Sequence, residues 1–114
     1  MGRQSAVVIP LGDYRERQRP LYFSRFELNL LLGLYSRHVA RGEWRDYAID
    51  HRDGMALFSV FRHSREGAAY RIVKTGEGEF VVWRGRRRMR AASSLAAALL
   101  FFERSLSLVP RALL

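Results

Sequence analysis

Residues 42–61, GEWRDYAIDHRDGMALFSVF, constrain the fold more than any other part of the chain. Two runs with the period-two alternation of strands flank Asp53-Gly54, a pair suited to the positive φ angles of a tight hairpin turn. In the first run, Arg45 to Asp50, Tyr47 and Ile49 share one parity and Asp46 and Asp50 the other. In the second, Met55 to Phe61, Ala56, Phe58 and Val60 alternate with Leu57 and Phe61, so both parities are apolar. Such a strand is expected at the centre of a sheet, covered on both faces. A hairpin of this kind commits the chain to an antiparallel sheet, with Tyr47, Ile49, Phe58 and Val60 in its core.

The flanking segments extend that sheet and cover it. Ser24 and Glu27 form a capping box that opens a helix, and Phe26, Leu30, Leu31, Leu34, Tyr35 and Val39 give it an apolar stripe. Arg37, His38 and Arg41 place cations near its negative end, and Gly42 stops it. After the hairpin, Ala68 to Lys74 and Glu79 to Trp83 read as two more strands, separated by Gly76 and Gly78. Arg87 to Ala91 is a possible fifth. Ser93 or Ser94 then caps a C-terminal helix to about Ser105, apolar on nearly every side and so expected to be buried. The order predicts an α+β domain: an N-terminal helix, an antiparallel β-meander of four to five strands, and a C-terminal helix. Residues 1–20 read as a poorly structured leader, 21–109 as the single domain, and 110–114 as an apolar tail.

A chain of 114 residues suffices for one domain with its own core. It has no cysteine, which excludes disulfides and thiolate chemistry. Its longest apolar run, Leu95 to Phe102, is far short of the ~20 residues a membrane helix needs, and no secretory signal opens the chain. The expected setting is soluble and cytoplasmic. The net charge of +9 has a clear origin, because Arg84, Arg86, Arg87, Arg88 and Arg90 supply five of it within seven residues.

The run from Phe26 to Lys74 also carries a resemblance. Glu27-Leu28 at the helix start, Gly42-Glu43-Trp44-Arg45-Asp46-Tyr47-Ala48-Ile49-Asp50, then Phe58-Ser59-Val60-Phe61-Arg62 and Tyr70-Arg71-Ile72 resemble the alphaproteobacterial domain of unknown function 2794 family. The resemblance implies a bacterial cytoplasmic setting and assigns no active site.

Chemistry finds little purchase in these residues. His38, His51 and His63 accompany Asp46, Asp50 and Asp53, but the hairpin puts the rings of His51 and His63 roughly 26 Å apart, too far to share one metal ion. All three histidines read as surface residues. Asp46 and Asp50, four residues apart, are too distant for a proton-sharing pair; they are expected to be solvated or paired with neighbouring arginines such as Arg71 across the sheet. No nucleotide-binding or hydrolase motif is present, so no enzyme, cofactor, metal or small-molecule ligand is expected.

Two surfaces remain. On an extended segment Arg84, Arg86, Arg88 and Arg90 project to one side, with Arg87 opposite, a stripe that suits a polyanion or merely guards an edge strand. Leu57, Phe61, Val81 and Trp83, with Trp44 at the border, share the sheet face the first helix does not cover. If the C-terminal helix covers that face they are core; otherwise it binds a protein partner or a second copy. The expected function is a non-catalytic protein-interaction or self-associating module, and the alternative is a nucleic-acid-binding accessory protein using the arginine segment.

Overall fold

Helix α1, Arg25–Ala40, starts where its cap is strongest. The Ser24 hydroxyl accepts from the Glu27 amide at 3.1 Å, and Glu27 Oε1 accepts from the Ser24 amide at 2.7 Å. Two orphan donors are satisfied by one pair of side chains. A computed structural model describes residues 20–63 and 65–103. Apart from Pro20, the expected leader falls outside the described residues, as does the apolar tail at 110–114.

Five strands follow: β1 Asp46–Arg52, β2 Met55–Phe61, β3 Tyr70–Lys74, β4 Phe80–Arg84 and β5 Arg87–Ala92. They form one antiparallel sheet in sequence order, β1-β2-β3-β4-β5. The first turn has positive φ at both Asp53 (53°) and Gly54 (71°), the two-residue geometry whose twist matches paired strands. The last turn, Gly85-Arg86, needs a positive φ only at Gly85 (61°). A second helix, α2, occupies residues 95–103, with the Ser94 hydroxyl accepting from the Ala97 amide at 3.2 Å. The chain is therefore α+β, with a complete five-strand meander between two helices.

Register shows where the core lies. Phe58 stands opposite Ile49 and Ile72, and Ile72 opposite Val82, so these residues share one face. Phe58, Val60, Ile72 and Val82 have no exposed surface. Both helices pack on this face: Leu31 and Leu34 of α1 and Leu95, Ala98, Leu99 and Phe102 of α2 belong to the same buried cluster. The stripe on α1 is narrower than expected, because two helices share one sheet face and neither is wrapped on its flanks. Phe26 (69%) and Val39 (41%) stay exposed. Tyr47 and Ile49 also lie on the covered face, but on an edge strand, and remain about two-fifths exposed. They are not the core residues the alternation suggests.

The chain's single lysine clamps α1 to the sheet. Lys74 Nζ donates to Glu27 Oε1 at 2.8 Å and to the Tyr22 carbonyl at 2.8 Å, with both ionic side chains more than four-fifths buried. Burial alone pushes the Glu27 carboxyl up, but Lys74 and the Ser24 bonds outweigh it and hold the group below its ordinary value of 4.5. The carboxylate stabilises the fold above that pH, and the contribution is lost as pH falls through the lowered folded value. Lys74→Met is expected to cost about 1 to 2 kcal/mol, read as a lower urea midpoint at unchanged slope. The double variant with Glu27→Gln should lose less than the sum of the two single changes.

Candidate functional site

The end of α1 is built so that two polar side chains must meet. Arg41 is the C-cap and Gly42, at φ 76°, takes the left-handed position that stops the helix. The Glu43 amide donates to the His38 carbonyl and the Gly42 amide to the Val39 carbonyl, each at 2.9 Å, the paired bonds of a Schellman turn. An apolar contact commonly spans these two positions. Here the side chains form a hydrogen bond instead: His38 Nδ1 lies 2.6 Å from Glu43 Oε1. Trp44 then stacks on the His38 ring, with centroids 3.9 Å apart and planes 11° from parallel. Phe102 of α2 meets both rings edge-on.

His38 is 6% exposed and so is not the surface residue its sequence position suggests. Burial lowers its pKa against the opposing pull of the Glu43 carboxylate, with Arg41 and Arg37 adding to the decrease. The neutral ring therefore donates from Nδ1 to Glu43, which leaves Nε2 as a buried acceptor with no partner among the described residues. Trp44 is 3% exposed inside the helix-covered core, not at the border of the open face. The stacking on His38 draws it there.

A cleft of about 500 Å³ opens beside this turn. His38, Trp44, Tyr70, Phe101 and Phe102 form its inner wall, and Arg41, Arg45, Arg62 and His63 line it at exposed positions. Glu43 is the one acidic residue in the lining, and its carboxylate is engaged by His38. Its components come from the end of α1, the open end of the β1–β2 hairpin, β3 and α2, which scatters them along the sequence. One local signal was readable: Glu43 stands five residues after His38 across a helix-stopping glycine, the spacing that a Schellman turn brings together.

The open sheet face carries Met55, Leu57, Phe61, Val73, Val81 and Trp83. Leu57 pairs with Val73, Val73 with Val81, and Val81 with Ala91, an apolar row across four strands. Val73 and Val81 are buried by their neighbours, while Met55, Leu57, Phe61 and Trp83 are half-buried. Neither described helix lies on this side, since the α2 residues that are buried all join the opposite core.

The arginine segment does not form one stripe. Val82 pairs with Arg90 but Trp83 with Arg88, so Met89 is an extra residue in a β-bulge and the parity changes there. Arg90 turns to the helix side, half-buried, and its Nε donates to the Ala97 carbonyl of α2 at 2.9 Å. Arg88 stays on the open face, 3.2 Å from Glu79. Arg84, Arg86 and Arg87 are exposed about the turn. At the other edge, Asp46 and Asp50 each accept the backbone amide of the next residue at 2.8 Å, and Asp50 pairs with Arg52 at 2.8 Å, not with Arg71. Among the described residues no three histidine or acidic side chains are grouped to hold a metal ion, and no helix is long and apolar enough to cross a membrane.

A five-stranded meander carrying both helices on one face, with a capped polar turn between α1 and β1, defines a small α+β domain. Residues 21–81 match the family model described as protein of unknown function DUF2794, and the chain belongs to that family. No curated protein and no solved structure matches it. The matched span includes the whole His38–Glu43–Trp44 turn and stops before Trp83 and the arginines of β5.

The buried imidazole makes stability depend on pH. The unfolded ring titrates near its ordinary value of 6.5 and the folded ring below it. Stability is therefore full above 6.5 and falls as acidification protonates the unfolded chain first. The urea midpoint should drop from about pH 7.5 to about pH 5.5, and His38→Gln should flatten that drop.

Proposed function

We propose that the protein acts in the cytoplasm as a non-catalytic self-associating module, its open sheet face docking on the same face of a second copy. The observation that carries this reading is the placement of both described helices on one face, which leaves Leu57, Phe61 and Trp83 half-buried on the other. Their exposed apolar surface favours burial against another protein.

The charges around that face favour a second copy as the partner. Asp46 and Asp50 border it on β1 and Arg88 on β5, while Arg71 stands on the central strand β3. A twofold axis along the strands sets β1 of one copy over β5 of the other. The β1 carboxylates of each then approach the Arg88 guanidinium of its partner, with apolar rows meeting between them at the ~10 Å spacing of stacked sheets. Sheet extension through β1 is the less favoured route, because the Asp46 and Asp50 carboxylates occupy backbone amides that a docking strand would need. Nucleic-acid binding has weaker support, since the bulge sends Arg88 and Arg90 to opposite faces, with Arg90 half-buried against α2 and Arg88 beside Glu79.

Light scattering across micromolar concentrations should show the mass rising from 13.2 kDa to twice that value. Leu57→Glu and Trp83→Glu should hold it at the monomer, and Arg86→Ala should change nothing. A wild-type mass fixed at the monomer overturns self-association, and a foreign protein captured through Trp83 would assign the face to that partner instead.

A further inference from the structure

The cleft beside the α1–β1 turn lies on the helix side of the sheet and plays no part in the association described above. We propose that it binds a small aromatic anion, a flat ring bearing a carboxylate or phosphate group. Its volume of about 500 Å³ falls within the ~300–1,000 Å³ usual for small-molecule sites. It also has the composition of such sites, an aromatic wall with a few polar groups at the opening.

The charge of the lining sets the sign of the ligand. Arg41, Arg45 and Arg62 line the cleft, and none has an ion-pair partner among the described residues. Glu43 alone opposes them, and it is held against His38 at 2.6 Å. The negative end of α1 also opens here, but the His38 and Val39 carbonyls are already taken by the Glu43 and Gly42 amides. The balance favours an anion, and guanidinium groups suit carboxylate and phosphate because both accept two parallel N–H bonds.

The wall sets the shape. Tyr70 and Phe101 are only partly buried and meet edge-to-face at 5.9 Å, while Trp44 and Phe102 close the back at 5.6 Å, nearly perpendicular. Rings in this arrangement present both edges and faces, the two surfaces against which another ring packs well. His38 forms part of the same wall, and its Nε2 is an acceptor without a partner.

The test is calorimetric titration of the full chain with benzoate, phenyl phosphate, inorganic phosphate and benzyl alcohol. Benzoate or phenyl phosphate should bind, and inorganic phosphate and benzyl alcohol should bind at least about tenfold more weakly, because each lacks one half of the recognised group. Arg41→Ala and Arg62→Ala should each weaken the aryl anions about tenfold, while Arg25→Ala, at an exposed position on the first turn of α1, should leave them unchanged. These are exposed side chains, so thermal melts coinciding with wild type separate lost binding from lost folding. The proposal fails if neither aryl anion binds, if benzyl alcohol or inorganic phosphate binds as tightly, or if the cleft arginine variants behave like Arg25→Ala. Titration of Trp83→Glu, a monomer under the association reading, should give the same affinities, so failure of either proposal leaves the other standing.

Discussion

Both helices bury their apolar stripes on one face of the sheet, and most other features of the molecule follow from that constraint. The covered face is sealed completely at its centre, where Phe58, Val60, Ile72 and Val82 have no exposed surface. Two short helices across five strands cannot also seal its margins. The β1 margin, with Tyr47 and Ile49, is consequently half-open, and the flanks of α1 show Phe26 and Val39 to solvent. The opposite face keeps the apolar parity of β2 and β4 without a described helix above it. Burial of apolar area contributes roughly 25 cal/mol per Å², so a face left half-buried holds stabilisation that association can still recover.

Covering one face with two helices requires each to be fixed from its ends. At the start of α1 this is done by charge, with Lys74 of β3 reaching Glu27 and the Tyr22 carbonyl. At its end the fixing is aromatic: the Schellman turn delivers Trp44 onto His38, and Phe102 of α2 closes on both. The second arrangement has an energetic cost, because a buried acceptor without a partner forfeits its hydration. An apolar residue at position 38 would avoid that cost and lose the bond to Glu43. The turn thus joins α1, β1 and α2 through a polar group whose second nitrogen remains uncommitted, and the cleft opens beside it.

What was legible in the sequence was local. Ser24 and Glu27 specify a helix start through bonds three residues long, Gly42 its end, and Asp53-Gly54 a turn whose dihedrals few other pairs accept. The strand order followed from short connections. What depended on tertiary placement was not legible. The alternation of β1 is correct in parity, yet parity does not reveal that an edge strand has a neighbour on one side only. Likewise, the arginines of β5 alternate in sequence, and nothing in their spacing announces the bulge at Met89 that sends Arg88 and Arg90 to opposite faces. The burial of His38 and Trp44 needed α2 in place, more than fifty residues away. For the cleft, only the His38–Glu43 spacing was readable in advance.

The treatment of polar groups differs between the edges and the faces, and that difference bears on how the chain meets other molecules. At the β1 edge, Asp46 and Asp50 turn back onto the amides of Tyr47 and His51, and the Arg52 guanidinium with the His51 amide holds the Asp50 carboxyl below the usual carboxylate range. A group held charged in that position resists being stripped of water, which a docking strand would require. At the β5 edge, Arg87 and Arg88 stand as exposed charges of the opposite sign. The open face carries one charge at its centre, Arg71 on β3, beside an apolar row of Leu57, Val73, Val81 and Ala91 that crosses four strands. A sheet that guards its edges and leaves one face apolar favours packing against a surface over extension by a strand. The same logic separates the two candidate sites, since the cleft is apolar within and cationic at its opening, where a small charged molecule can enter and a sheet cannot.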